Sequence, residues 1–167
     1  MRDFDSHYLD IAFIIAKMSR AKRAQVGALL VKDNNILSYG YNGTPSGFDN
    51  NCEHNINGQL VTRPEVIHAE SNALMKVAKS TLSSNGATMY LTMSPCYECS
   101  KLMIQAGVKK VVFPHYYRDV SPITFLEQMN IEVIKYEGAI LMGREISPTD
   151  NSGLYFTREL EEDVYNP

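Results

Sequence analysis

The stretch TMYLTMSPCYECSKLMIQAGVKKVVF, residues 88–113, has a β-prone run at each end and a helical pattern between them. The β-prone runs are 88–92 and 110–113, and the helix is predicted from about 96 to 105. Gly107 follows this helix, at a position where glycine commonly ends one. Because a helical crossover joins parallel strands, the stretch predicts one strand, helix, strand unit of a sheet.

The segments on either side extend this pattern. The other predicted elements are helices at about 5–20, 68–79 and 122–129 and strands at 26–31, 36–41 and 131–134. The first two strands are separated by a turn-forming cluster and predict a hairpin, whereas crossovers link the later strands. We therefore predict an α/β fold, a three-layer α/β/α sandwich with a central mixed five-stranded sheet, formed by residues 1–167 as a single domain.

The composition is that of a folded globular protein. Hydrophobic residues make up 44% of the 167 residues and charged residues 21%, without long low-complexity runs. The apolar run 12–16 is far shorter than the roughly 20 residues that span a bilayer. Asp3 and Asp5 stand where a secretory signal would carry positive charge. We therefore expect a cytoplasmic protein that does not bind membranes.

The net charge argues against a nucleic acid polymer as partner. At −3, the chain lacks the excess of Lys and Arg from which broad phosphate-binding surfaces are built. A small anionic ligand would need a local basic pocket instead.

Two short motifs carry the chemistry. His68-Ala69-Glu70 precedes Pro95-Cys96-Tyr97-Glu98-Cys99, an order that matches the H-x-E and P-C-x-x-C signature of zinc-dependent nucleobase deaminases. Three residues apart on a helix, Cys96 and Cys99 present both sulfurs on one face. Ser94 at the N-cap and Pro95 at the first helical position would place both sulfurs in the first turn, where the helix dipole favours negative charge.

His68 and Glu70 cannot face the same point on a regular helix, since residues two apart differ by about 200°. They converge only at a helix end, so we place His68 at the first turn of its helix. His68, Cys96 and Cys99 are then the predicted zinc ligands. Three protein ligands leave a fourth position for water, whose pKa zinc lowers from about 15.7 to about 7. Glu70 is the predicted catalytic residue that moves protons, and backbone N–H groups beside Cys96 are candidate oxyanion donors.

A Cys-x-x-Cys pair alone more often marks a structural zinc site or redox chemistry, and a lone His-x-Glu means little. The combination in this order favours catalysis, because a redox role would leave His68 and Glu70 without a function. Cys52, the third cysteine, is expected to be buried in the core or at an interface.

With these motifs, the chain resembles the cytidine and deoxycytidylate deaminase superfamily, and most of all the deoxycytidylate deaminases, over about residues 8–136. A second similarity is Gly40-Tyr41-Asn42-Gly43-Thr44-Pro45-Ser46-Gly47-Phe48, which resembles the Gly-Tyr-Asn-Gly loop of that family. The resemblance implies a cytidine deaminase-like fold and zinc-dependent hydrolysis of dCMP to dUMP and ammonia. A C-terminal extension of about 137–167 lies outside it, and we expect an end helix there that packs on a neighbouring subunit.

The resemblance also indicates residues that bind the nucleotide. Asn42 at a strand end would hydrogen-bond a sugar hydroxyl. Tyr117 would stack on the pyrimidine, although a core or interface tyrosine is an equal interpretation. The 5′-phosphate needs positive charge, for which Arg23 and Arg118 lie near strand ends that open toward the site, with Arg20 and Lys22 as further candidates; for each of the four, a solvated surface charge is the alternative interpretation. Ala69 and Ser94 complete the predicted substrate site.

Regulation is implied by the resemblance alone. It implies a hexamer in which dCTP activates and dTTP inhibits, with Mg²⁺ bound alongside the triphosphate. The predicted allosteric residues are Gly40, Tyr41, Gly43, Thr44, Ser46 and Gly47.

Other functions share some of these features. A tRNA adenosine deaminase or a polynucleotide cytidine deaminase would use the same metal chemistry, but the charge of −3 and the Gly-Tyr-Asn-Gly loop favour a free nucleotide. A nucleoside deaminase would not need the arginines. A non-catalytic, zinc-stabilised interaction module is the alternative outside enzymes, and release of ammonia from a nucleotide would exclude it.

Overall fold

A computed structural model describes residues 4–142 of the chain. The elements are α1 (Phe4–Ala16), β1 (Gly27–Lys32), β2 (Asn35–Tyr41), β3 (Glu53–Ile56), β4 (Gln59–Thr62), α2 (Ala69–Ala78), β5 (Thr88–Leu91), α3 (Tyr97–Gln105), β6 (Lys110–Phe113), α4 (Ser121–Gln128) and β7 (Glu132–Lys135). Within this part of the chain, no helix has the length and apolar character needed to cross a bilayer.

The main sheet is mixed and five-stranded, as predicted. Its strand order is β2-β1-β5-β6-β7, with β1 antiparallel to both neighbours and β5, β6 and β7 parallel. This order brings the carboxyl ends of β2, β5 and β6 and the amino end of β1 to one edge of the sheet. The helices α2 and α3 begin at the same edge, so the two predicted zinc motifs meet there.

Helices cover both faces of the sheet, which confirms the three-layer sandwich. On one face α1 packs through Leu9 and Phe13 against Leu29, Tyr90 and Val112. On the other face α2, α3 and α4 bury a larger apolar cluster that includes alternate residues of the same strands. Strand β1 is buried on both sides, which explains its continuous apolar run in place of an alternating pattern.

Two glycines allow the helices to approach the β1–β2 hairpin closely. A Cβ at Gly40 would overlap the carbonyl oxygen of Ala69 and the amide nitrogen of Ala73 in α2. Gly27 makes the equivalent approach to α1 on the opposite face, against Ala12. The backbone of each helix would have to move to admit a side chain, because helix backbone atoms cannot rotate away as a flexible side chain can.

We therefore expect Gly40→Ala to destabilise the fold by about 1–3 kcal/mol, the usual cost of overpacking a core. Urea unfolding followed by circular dichroism measures the change. Gly43→Ala is the matched control, since a Cβ there meets nothing closer than 3.8 Å and the position has no positive φ. Equal stability of the two variants would show that the close contact with α2 is not a constraint.

No helix or strand is predicted in the polar stretch between β2 and α2, but the structure has two strands there. It contains the β3–β4 hairpin, in which Glu53 pairs with Thr62 and Ile56 with Gln59. Asn57 and Gly58 form its turn with φ of 52° and 82°. An Asn-Gly pair is a strong sequence signal for a two-residue hairpin turn, and its two residues adopt the positive φ angles that such a turn requires. In a segment that is polar throughout, this pair is the signal for the hairpin.

The described chain ends by returning onto α1. Ile140 is buried in the α1 cluster, and the backbone amide of Met142 donates to Asp10 Oδ1 at 2.8 Å. Residues 137–142 therefore pack on the domain, although we placed them in an extension. The predicted end helix falls within 143–167, outside the described residues.

Candidate metal centre and active site

His68, Cys96 and Cys99 come together at the edge of the sheet. The Nδ1 atom of His68 lies 3.4 Å from Cys96 Sγ and 3.5 Å from Cys99 Sγ. All three ligand atoms lie within 4.8 Å of one another, and residues 4–142 contain no second group of this kind. The structure thus brings together the three side chains that the two motifs predict as ligands.

These distances fit a tetrahedral zinc ion. With Zn–S of about 2.3 Å and Zn–N of about 2.0 Å, tetrahedral angles require sulfur and nitrogen to be about 3.5 Å apart. Access to solvent also differs among the three: Cys99 is buried, Cys96 is half-buried and His68 is exposed. The three side chains could therefore hold a metal from one side, with the more exposed His68 toward the cleft.

Each ligand is positioned by the start of a helix. His68 is the N-cap of α2 and Cys96 the N-cap of α3, both with extended backbone at ψ of 156° and 171°. His68 is therefore just outside its helix, next to the first turn where we placed it. Glu70 follows inside α2, which resolves the geometric conflict between these two side chains.

The prediction that Ser94 caps the cysteine helix is wrong. The helix begins two residues later than expected, after Pro95 and Cys96. Ser94 serves a different purpose: its backbone amide donates to His115 O at 2.8 Å, and its Oγ accepts from Tyr117 N at 2.7 Å. The hydroxyl thus ties the loop after β6 to the loop after β5 and is not free to cap.

Hydrogen bonds within the cluster favour the thiolate form of Cys96. The Cys99 thiol bonds to the Cys96 sulfur, which lowers the pKa of Cys96 and raises that of Cys99. The bond to Cys96 also raises the pKa of His68, because a protonated imidazole is stabilised beside a thiolate. Side chains that already share their protons in this way can give them up when a metal cation binds.

Glu70 is a buried carboxyl beside the ligands. Only 4% of its surface is accessible, and burial raises its pKa above the ordinary value. The charge of His68 acts in the opposite direction, so the carboxyl is electrostatically coupled to a metal ligand. A carboxyl with a raised pKa next to a metal site is suited to accepting and returning protons.

A cleft opens beside this cluster and includes most of the predicted substrate residues. Its walls contain His68, Glu70 and Cys96 together with Asn42, Ala69, Ser94, Arg23, Tyr117 and Arg118. Arg20 and Lys22, the other two basic candidates, are exposed and do not line it. The structure therefore separates the four basic candidates into two that can reach a ligand in the cleft and two that are surface charges.

Asn42 has a structural role in the wall of the cleft. Its Oδ1 accepts from Val26 N at 2.8 Å, and its Nδ2 donates to Ala24 O at 2.8 Å. The side chain thus fixes the chain just before β1. One amide hydrogen and one lone pair of the side chain remain for other partners.

The predicted allosteric residues occupy two environments outside the cleft lining. Gly40 is buried against α2, where packing alone requires glycine. Gly43 forms two backbone hydrogen bonds with Ile67, at 2.8 and 3.1 Å, and so joins the loop to the residue before His68. The other members are Tyr41 and Thr44, half-buried, and Ser46 and Gly47, exposed.

Several residues of the cleft were not predicted. Glu53, Cys52 and Thr62 come from the β3–β4 hairpin and its approach, and Val66 and Met93 supply apolar surface. Cys52 is buried, as expected. The Asn57-Gly58 turn is the sequence signal that could have indicated the hairpin residues of the cleft, because a hairpin at that position folds back toward the start of α2.

A mixed α/β/α sandwich that gathers an imidazole, two thiols and a buried carboxyl beside one cleft has the architecture of the zinc-dependent deaminases. The family described as "Cytidine and deoxycytidylate deaminase zinc-binding region" matches residues 2–115. The chain therefore belongs to the cytidine and deoxycytidylate deaminase family.

Individual relatives agree with this assignment. The deoxycytidylate deaminase of Mycobacterium phage D29 is 37% identical over 123 residues, covering 67% of this chain and 94% of the phage protein. The Homo sapiens deoxycytidylate deaminase is 38% identical over 116 residues, covering 66% of this chain and 64% of the human protein. Among solved structures, the dCMP deaminase of cyanophage S-TIM5 in complex with dCMP and dUMP is similar with a TM-score of 0.76. The two chains are 45% identical, and the match covers 81% of this chain and 99% of the cyanophage chain.

Proposed function

We propose that this protein hydrolyses dCMP to dUMP and ammonia with a zinc ion held by His68, Cys96 and Cys99. The observation that carries the proposal is the cluster of these three side chains with the buried carboxyl of Glu70 beside them. The relatives named deoxycytidylate deaminase, and the cyanophage enzyme in complex with dCMP and dUMP, support this nucleotide as the substrate.

The chemistry divides between the metal and Glu70. When bound by the three ligands, zinc lowers the pKa of a water molecule to near 7 and so makes a nucleophile available at neutral pH. Glu70 would take one proton from the attacking water and deliver it to N3 of the cytosine ring, which makes C4 more electrophilic, so that the water oxygen forms a bond to C4 and keeps its second proton until Glu70 takes it. Glu70 then transfers the second proton to the 4-amino group, which leaves as ammonia while the oxygen on C4 becomes the uracil carbonyl.

Other groups of the chain orient the nucleotide. The first amides of α3, next to Cys96, have no partner within the helix and can donate to the oxygen that develops at C4. Asn42 and Ser94 are proposed to contact the sugar and base, and Ala69 to border the ring. Tyr117 can cover one face of the pyrimidine, since this residue lines the cleft and is 37% exposed.

Arg118 is proposed to bind the 5′-phosphate together with Arg23. We expect Arg118→Ala to raise KM for dCMP about 10- to 100-fold with little change in kcat, because a hydrogen bond to a charged group contributes about 1.5–3 kcal/mol. Arg20→Ala is the matched control, because Arg20 is an exposed arginine that does not line the cleft. This variant should leave KM unchanged. Steady-state assays of ammonia release measure both. A similar KM rise in both variants would contradict the assignment of Arg118.

A substrate panel tests the proposed function. The zinc-loaded protein is assayed for ammonia with dCMP, dCTP, cytidine, deoxycytidine, 5-methyl-dCMP and a cytidine-containing RNA oligonucleotide. We expect dCMP to have the highest kcat/KM and deoxycytidine to be converted more slowly for want of the phosphate. Faster turnover of the oligonucleotide would favour a polynucleotide deaminase. The net charge of −3 argues against that alternative. No release of ammonia from any of them would contradict the proposed function, and a further negative result with an adenosine-containing tRNA would favour the non-catalytic zinc module.

We also propose that the Gly43 to Gly47 loop binds dCTP as activator or dTTP as inhibitor, with Mg²⁺ on the triphosphate, in a hexamer. The proposal is supported by the two backbone hydrogen bonds between Gly43 and Ile67, which connect this loop to the residue before His68, a proposed metal ligand. Rates with and without each triphosphate, and the mass by sedimentation, test this. Rates that do not respond to either triphosphate would contradict regulation, and a monomeric mass would contradict the hexamer.

The free cysteines, two of them proposed ligands, support a reducing, cytoplasmic location.

A further inference from the structure

Glu53 is a buried carboxylate of the cleft wall that the zinc chemistry does not use. It is the first residue of β3 and is 9% exposed. Its Oε1 accepts two backbone hydrogen bonds, from Lys22 N at 2.9 Å and from Arg23 N at 3.1 Å. Charged side chains are seldom buried unless they are paired, so a carboxylate retained here needs a reason.

The segment that Glu53 binds has no regular structure of its own. Lys22 and Arg23 lie between α1 and β1, in neither helix nor strand. Their amides therefore lack the partners that secondary structure would supply, and a buried amide without a partner is costly. One carboxylate oxygen that accepts from two consecutive amides fixes the direction of the chain at this point, with bonds strengthened by its charge.

The same hairpin also holds the side chain of Arg23. Its Nη1 donates to Thr62 Oγ1 at 2.9 Å. Thr62 in β4 is the residue paired with Glu53 across the hairpin. Arg23 is thus held by its backbone through Glu53 and by its guanidinium through Thr62, and all three residues line the cleft.

We propose that Glu53 is a positioning residue that sets the place of Arg23 in the cleft and thereby the affinity for the 5′-phosphate of the nucleotide. The inference rests on the proposed function for the identity of the ligand. The positioning itself depends only on the contacts of the hairpin with the Lys22–Arg23 segment.

Hydrogen exchange tests the positioning without any substrate. In Glu53→Ala the amides of Lys22 and Arg23 should exchange at least about tenfold faster than in the wild type, because each loses a bond to a charged acceptor. In Glu53→Gln, which keeps an acceptor oxygen, most of the protection should return. Unchanged exchange in Glu53→Ala would overturn the proposal.

Kinetics test which part of the substrate is affected. Glu53→Ala should raise KM for dCMP about tenfold with little change in kcat, and should leave kcat/KM for deoxycytidine, which has no phosphate, unchanged. Thr62→Val, which removes only the acceptor for the guanidinium, should raise KM for dCMP by about 3- to 10-fold without faster exchange at Lys22. If Glu53→Ala does not fold, the kinetics of Thr62→Val still test whether the hairpin positions Arg23, and an unchanged KM for dCMP would overturn that positioning.

The two proposals fail differently. Equal losses with dCMP and deoxycytidine in Glu53→Ala would show that the carboxylate contacts the sugar or base directly and would overturn the link to the phosphate. A wild-type protein that converts neither compound would contradict the proposed function, whereas hydrogen exchange would still decide whether Glu53 positions the segment.

Discussion

Glu70→Gln is expected to keep its zinc and its stability while kcat falls by at least about 10³-fold. Glutamine has nearly the same size as glutamate and fits the same buried space, so the fold has no reason to change. It cannot accept a proton from water and return it, and general acid–base transfer of this kind typically contributes about 10²–10⁴-fold to catalysis. The proposed reaction uses Glu70 twice, first toward N3 and then toward the leaving amine.

The measurement combines metal analysis, urea unfolding and single-turnover conversion of dCMP. Glu98→Gln is the matched control, because Glu98 lies in the same cysteine motif but its carboxylate is exposed and pairs with Lys101 at 2.7 Å. Removing such a surface pair has little effect. If Glu70→Gln retained a kcat within about tenfold of the wild type, Glu70 would not be the proton carrier.

Cys99→Ala is expected to abolish both metal binding and activity. The buried Cys99 sulfur is one of three ligand atoms, and the remaining His68 and Cys96 offer only two. Since catalytic zinc sites use three protein ligands, the zinc content should fall from about one ion per chain to near zero and dCMP conversion with it. Mass spectrometry under native conditions and elemental analysis measure the loss.

Cys52→Ala separates the loss of a ligand from the loss of any buried cysteine. Cys52 is 2% exposed, comparable to Cys99 at 1%, but is not part of the ligand group. The Cys52→Ala protein should therefore retain its zinc. A Cys99→Ala protein that still carries a full complement of tightly bound zinc would show that the ion sits elsewhere.

The fold could be predicted from local patterns where each element has its own signal. The 88–113 stretch predicts β5, α3 and β6 nearly to the residue, because apolar runs, helical spacing and a terminal glycine agree there. The β3–β4 hairpin was missed because its strands are mostly exposed and carry no apolar alternation. Only the Asn57-Gly58 turn marked it.

The site could be predicted where chemistry demands particular residue types. Zinc is bound mainly by His and Cys side chains, so His68, Cys96 and Cys99 could be predicted as candidate ligands from the sequence, and the structure brings them together. Ser94 was assigned to a cap because its type suits that role, but tertiary contacts with His115 and Tyr117 engage it instead. Glu53 could not be predicted, because its partners are backbone amides, which no sequence pattern reveals.

X-ray absorption at the zinc edge of the full-length protein tests the central claim most directly. An open site held by His68, Cys96 and Cys99 predicts about two sulfurs at about 2.3 Å and about two nitrogen or oxygen neighbours at about 2.0–2.1 Å, one of which changes when dCMP is added. A shell of four protein ligands that does not respond to dCMP would contradict the account.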